Sequence, residues 1–375
     1  MKKSLTNSRI PIAILLTLVS FFTLFTSQCR AEDNNTEAFE NATVIEILEE
    51  DSYEVEGFSG EQIYQKIKIE ITSGNQEGEE KTIEIGGDFV ANSIKYQKGD
   101  KVIVSIAEDQ EGSKTYLITD YQRTGSLFIV IVLFIIVVLA VSRLRGLQSL
   151  GGLLISLIVV FAFIIPNILK GRDPILISIL SGILLIPATF YISHGLKRQT
   201  TIAVIGTLIS LLITGILAHI FVKAAHITGT SSEDTFYLQM IGDEQINLPN
   251  LIIGGIIISA IGILDDVTIS QTSIVERLHE TNPEIRSGQL FAKAMEVGND
   301  HISSMVNTLV LTYTGASIPL LLLFSTSNIS SEYAVNLESV AVEIVRTLVS
   351  SIGLILAIPL TTFIATVSIV KRKNA

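Results

Sequence analysis

The chain contains no tryptophan, one cysteine and five histidines in 375 residues. With Cys29 alone, neither an intramolecular disulfide nor a CxxC metal site can form. No Cys or His spacing of a metal centre occurs elsewhere. GxxxxGK[ST], HExxH and GxSxG are absent, so no energy-coupling ATPase is encoded, and any transport is secondary or driven by a partner. A basic excess is missing as well. The 26 Lys and Arg stand against 37 Asp and Glu, a net charge of −11. Nucleic acid requires a basic surface and is excluded as a partner. No nucleophile and no basic phosphate cluster stands out along the chain, which speaks against an enzyme. No cofactor is expected.

What is present is apolar sequence. Hydrophobic residues make up 48% of the chain and mean hydropathy is +0.53, values of a polytopic membrane protein. Charge is unevenly spread. Residues 31–123 hold 22 Asp and Glu against eight Lys and Arg, and the remainder carries a small positive excess.

Three parts follow in order. Residues 1–30 place Lys2, Lys3 and Arg9 before the apolar run Ile10–Phe25, with a weak cleavage site at Cys29-Arg30-Ala31. This reads as either a cleaved signal peptide or an uncleaved signal anchor. Gln28 before Cys29 argues against a lipoprotein. Residues 31–123 read as an exported, acidic, all-β domain. Ile67, Ile69 and Ile71 alternate with Lys68 and Glu70. Gly74-Asn75 and Gly78 form a turn before Thr82–Ile85, and Lys98-Gly99-Asp100 feeds Val102, Val104 and Ile106. Five or six short strands point to a small barrel of OB-like or SH3-like type. Its acidic loops read as a solvated surface or a lure for cations.

Residues 124–375 read as the multi-pass membrane domain. Its apolar segments are Leu127–Val141, Leu147–Ile165, Ile175–Ile192, Thr201–Val222, Leu251–Leu264, Ser304–Phe324 and Thr347–Val370. The expected fold class is thus an α-helical polytopic membrane protein. It has about seven membrane helices, an N-terminal signal or anchor helix and a small exported β domain. The fifth segment is short enough to be a broken or re-entrant helix. A cytoplasmic N-terminus puts 13 basic residues of termini and short loops inside and four outside. Residues 31–123 then lie outside the plasma or inner membrane, and the C-terminus is cytoplasmic.

Candidate functional residues gather in and after the fifth segment. Gly255, Ser259, Gly262, Asp266 and Ser273 share one helix face, and Asp300, Ser304, Asn307, Thr314 and Ser317 share another. Two such faces either pack closely through small residues or line a polar path. Ionisable residues in membrane helices usually face a partner or a water-filled cavity. Asp265 and Asp266 are adjacent, about 100° apart on a continuous helix. Both meet one ion only if the helix breaks, for which the β-branched run Val267-Thr268-Ile269 gives an opening. Three roles compete: capping the next helix, binding a proton or cation, and holding Mg²⁺ for a phosphate-bearing substrate. His301 beside Asp300 is placed either as a proton relay or as an interfacial packing residue. Thr268 and Ser270 complete the set of polar groups near the pair. The charged connector Thr272–Asn299 is read as a surface-lying helix broken at Asn282-Pro283.

The block Gly262–Ser273 (GILDDVTISQTS), Asn282-Pro283, Asn299–Leu311 (NDHISSMVNTLVL), Tyr313–Ser317 (YTGAS) and Pro319–Leu322 resembles the YibE/F family of bacterial membrane proteins. Where that family has Gly-Arg-Asp-His, this chain has Gly298-Asn299-Asp300-His301. The resemblance implies one N-terminal hydrophobic segment, an exported domain and a polytopic remainder. It also implies a permease-type or efflux-type role, with no established activity.

The expected function is secondary transport of a small solute or ion. Asp266 and Asp300 are the proton or cation groups, with Asp265 and Asn307 assisting. The rival is a non-catalytic membrane scaffold whose exported domain binds an envelope protein, its Asp and Asn residues stabilising helix contacts. A Mg²⁺-dependent membrane enzyme acting through Asp265-Asp266 is a third class. The expected partners are the lipid bilayer, a small solute or cation, and an envelope protein.

Overall fold

The structure is a computed structural model that describes residues 37–54, 61–86, 94–108, 114–241, 246–326 and 330–371. The apolar run Ile10–Phe25, and with it the choice between signal peptide and signal anchor, lies outside these residues. The chain divides into two compact units, with a boundary between Val141 and Ser142.

The first unit holds strands β1 (Glu37–Glu54), β2 (Glu61–Ile71), β3 (Glu80–Ile85), β4 (Lys101–Glu108) and β5 (Lys114–Tyr121). They form one antiparallel sheet in the order β3-β2-β1-β4-β5. Alternation decides the inner face: Val44, Ile67, Ile69, Val102 and Val104 are almost completely buried together. β1 pairs with both β2 and β4. Register shifts at Val44/Glu46 and Ile47/Glu49 let it bend between them. The curl brings the sheet's ends together, with Lys81 of β3 5.1 Å from the centre of the Tyr116 ring of β5. Gln65, buried in β2, donates to Tyr96 O at 3.0 Å and accepts from Tyr96 N at 2.8 Å. That exchange pins the segment before β4 against the core and pairs both ends of the buried Gln65 amide. On the outer face, Lys66 meets Glu84 at 2.7 Å, and Lys68 meets Glu80. The mutual hydrogen bond raises the Lys66 pKa and lowers that of Glu84. Part of the acidic surface is therefore neutralised within the sheet.

The helical stretches are α1 (Thr124–Val159), a π-helical turn (Val160–Ile164), α2 (Ile165–Leu169), α3 (Pro174–His194), α4 (Arg198–Ala224), α5 (Glu233–Ile241), α6 (Leu248–Thr281), α7 (Ser287–Ala316), α8 (Ile318–Thr326), α9 (Ser331–Asn336) and α10 (Glu338–Lys371). Among the described residues five helices are long and apolar enough to cross a membrane, or six if α7 and α8, bent by 63°, form one span. The first, Thr124–Leu169, is 46 residues long. Straight, it would run about 69 Å, twice the roughly 30 Å of a hydrocarbon core. It covers two apolar segments of the sequence and is interrupted at Arg143, whose φ of 49° lies outside helical space.

In the second unit α6 is the central element, packing on α3, α4, α7 and α10. Ile253, Ile256, Ile257, Ala260 and Leu264 of α6 bury themselves among Ala203 and Leu211 of α4, Phe190 of α3, and Val349 and Ala357 of α10. The α4–α10 contact is close because glycine faces threonine twice. Thr361 fills the space beside Gly206, and Thr214 the space beside Gly353. Asn250 near the start of α6 donates its side-chain amide to Asp173 Oδ2 at 2.6 Å, tying α6 to the N-cap of α3.

Candidate functional site

α6 begins with Asn247 as N-cap, its side chain accepting from Asn250 N at 3.0 Å, and Pro249 in the first turn. It then runs unbroken for 34 residues to Thr281. The sequence admitted a helix break at Asp265-Asp266, and the structure corrects this. In the connector the helix breaks at Asn282-Pro283, as expected, but its two parts are no separate surface helix: most of Thr272–Asn299 is the end of α6 and the start of α7. Packing explains why α6 does not break at the pair. Val267, Thr268 and Ile269 are buried, and tertiary contacts override the weak helix preference of β-branched residues. The pair caps nothing, because it lies in the middle of a helix, and α7 starts at Ser287.

Continuity separates the two carboxylates. Asp265 follows Ile258 and Ile261 on one face, at steps of seven and four. Ile258 packs with Val159, Ile164, Ile177 and Leu185, and Ile261 stands against the Gly182 position of α3. Asp265 is half-buried, and its Oδ1 is shielded from solvent with no hydrogen-bond partner among the described residues. Asp266 is exposed, on the face of Gly255, Ser259 and Gly262. An added Cβ at Gly255 or Gly262 would meet nothing within 4 Å, so this face is open along its length. Asp266 lies near His194, the last residue of α3. A single divalent ion held jointly by the two aspartates does not fit this geometry. No group of three or more His, Cys, Asp and Glu side chains suited to a metal ion occurs among the described residues.

The other sequence candidates separate into two groups. Thr268 is completely buried, with its Oγ1 2.7 Å from Thr207 Oγ1 of α4 and 3.0 Å from Leu264 O. It is a helix–helix contact. Ser270, half-buried, lies one turn beyond Asp266. Asp300, Ser304 and Asn307 are exposed and His301 is half-buried, all on α7. α7 packs through a different stripe: Met295, Ile302, Met305, Leu309 and Tyr313 join Ile263 and Val267 of α6 and Leu354 and Ile358 of α10. The two polar faces seen in the sequence therefore do not meet. No hydrogen bond or ion pair joins Asp265 or Asp266 to the polar residues of α7 among the described residues.

The polar link between α6 and α7 is one the sequence did not single out. Gln271, 1% exposed, donates from Nε2 to Ala294 O at 2.9 Å. A Cβ at Gly298 would stand 3.1 Å from the same nitrogen and 2.7 Å from Ile358 Cγ2. An amide buried in an apolar span was the available signal, because such a group needs a partner. The hydroxyls of α4 and α10, Ser210, Thr214, Thr361 and Thr362, were also missed, and all are buried at helix contacts.

A family model described as YibE/F-like protein matches residues 130–371. The chain belongs to the YibE/F family. The matched region runs from within α1 to the end of α10 and leaves out the β sheet. The YibE/F signature therefore sits in the apolar helices that carry Asp265 and Asp266, and it makes the protein a membrane protein. No curated protein and no solved structure matches the chain.

Proposed function

We propose that this YibE/F protein is a secondary transporter of a small solute or ion, with Asp265 as its proton-binding or cation-binding group. One observation carries this reading: a carboxylate oxygen of Asp265 is shielded, with no hydrogen-bond partner among the described residues, in the middle of a long apolar helix whose span is half buried. Such a group is costly in a bilayer, and a helix retained only for packing has no need of it. Asp266 and the open Gly255–Gly262 face flank it as the approach. Asp300, His301, Ser304 and Asn307 form a separate polar face on α7. In the proposed topology α1 supplies two passes joined at Arg143, giving seven in all. The curled sheet is a small exported domain of OB-like or SH3-like kind.

The deciding experiment is flux in proteoliposomes under an imposed pH gradient, across a panel of cations. Asp265→Asn is expected to insert and fold as wild type while losing gradient-dependent flux by about tenfold or more, and Asp265→Glu to retain part of it. Full flux in a folded Asp265→Asn protein overturns the assignment. The scaffold reading is favoured by the uncovered polar face of α7. It predicts that deleting residues 31–123 abolishes the cellular phenotype while Asp265→Asn is silent.

A further inference from the structure

At one end of the helical unit, the start of the second half of α1, the end of α3, the first turn of α4 and the C-terminal half of α6 enclose a cleft of 590 Å³. Its cationic side chains are Arg145, Lys197 and Arg277, each from a different element. None of the three is in an ion pair among the described residues. Among the described residues no carboxylate lines the cleft; its other polar groups include Gln148, Gln199 and Ser273. The nearest acids stand outside it. Glu276 lies beyond Gln199, which donates to Glu276 Oε2 at 2.7 Å while accepting from Ser273 Oγ and from Ser273 N at 3.1 Å. Asp266 lies near His194, which lines the cleft, but is not itself part of the lining. The 27-residue α4 also opens here, and its N-cap residue, Lys197, provides no side-chain cap. The first-turn N–H groups of a helix without a cap carry partial positive charge and seek acceptors.

We infer that this cleft binds a phosphate group, with Arg145, Lys197 and Arg277 as its cationic contacts and the first turn of α4 as a backbone contact. Arginine matches two phosphate oxygens at once, and a helix N-terminus adds N–H donors to the same charge. The cleft is several times larger than a bare phosphate, so the ligand carries an organic group: a soluble phosphomonoester or the headgroup of an anionic phospholipid. Leu196, 87% exposed between His194 and Lys197, puts an apolar side chain beside the charges. Basic pockets between membrane helices are suited to anionic headgroups. This inference does not depend on Asp265 or on transport.

The test uses the purified full-length protein. One arm titrates it in detergent with glycerol 3-phosphate. The other places it in nanodiscs of phosphatidylcholine with increasing phosphatidylglycerol and counts retained lipid by native mass spectrometry. Saturable binding in the first arm makes a soluble organophosphate the source; saturation in the second alone makes it the headgroup. In either arm Arg145→Gln and Arg277→Gln are expected to weaken binding about tenfold or more, and Arg172→Gln to leave it unchanged. A footprint on wild-type protein needs no variant to fold: the bound probe shields Lys197 from amine acylation and leaves Lys170 and Lys223 reactive. No saturation in either arm, equal binding by folded Arg145→Gln and Arg277→Gln proteins, or equal acylation of the three lysines with and without probe overturns the inference.

Discussion

At Gly353 an added Cβ would stand 2.1 Å from Thr214 Oγ1, and at Gly206 one would stand 2.5 Å from Thr361 Oγ1. Both threonines are completely buried, so neither can swing out to solvent. Gly353→Ala is therefore expected to destabilise the helical unit by about 1–3 kcal/mol, the usual cost of overpacking. Thr214→Ala in the same chain should recover most of that loss. Thermal unfolding of the two single variants and the double variant measures the coupling, and an additive result removes the close contact from the explanation. The sequence displayed both glycines and both threonines without telling which would meet, because their partners lie on helices more than a hundred residues apart. Asp265 and Asp266 pose the same problem in sharper form. Their adjacency was legible, and so was their angle of about 100°. That one carboxylate turns toward the seam with α3 while the other stays on an open face depended on the neighbours of α6.

Helices ended and bent for reasons visible in some places and hidden in others. α7 stops at Ala316, and α8 leaves at 63° from Ile318. Pro319 has no N–H for the carbonyl of Gly315 and disfavours helical geometry at Ile318, which accounts for the break. The apolar segment Ser304–Phe324 contains this proline in its last third, so a bend there was readable. Pro319→Ala is expected to let α7 continue toward Thr326, lengthening the distance between spin labels at Thr308 and Leu322 by a few ångströms as the bend opens. An unchanged distance distribution would assign the bend to packing instead. At Arg143 the interruption falls at a polar pair of charges that already separated two apolar segments in the sequence, though not at a residue that favours a φ of 49°. For α6 the reverse holds. Its weak helix formers Val267-Thr268-Ile269 invited a break, and burial against α4, α7 and α10 kept the helix whole.

For the molecule as a whole, basic residues in short loops predict which ends of the helices share a side. The cleft places Arg145, Lys197 and Arg277 at one end of the helical unit, the grouping that the alternation of loops requires. Side itself is tested by labelling. In a Cys29→Ser background, Lys114→Cys on β5 should react with an impermeant maleimide in intact cells, and Glu280→Cys at the end of α6 only after permeabilisation. The opposite pattern would invert the topology. The amino-acid sequence by itself determined the class of protein, since long apolar runs have few stable solutions besides membrane helices. It determined the strand faces of the β unit too, through the alternation of Ile67, Ile69, Val102 and Val104, which a period of two leaves no freedom to misplace. Family membership rested on a local run of residues and was legible for the same reason. Tertiary structure alone decided that the polar faces of α6 and α7 stay apart, that Gln271 links those helices, and that three scattered cations line one cleft. Each of these depends on how helices rotate and approach one another. Side-chain volumes distributed over several segments settle that rotation, and no single stretch of sequence encodes it.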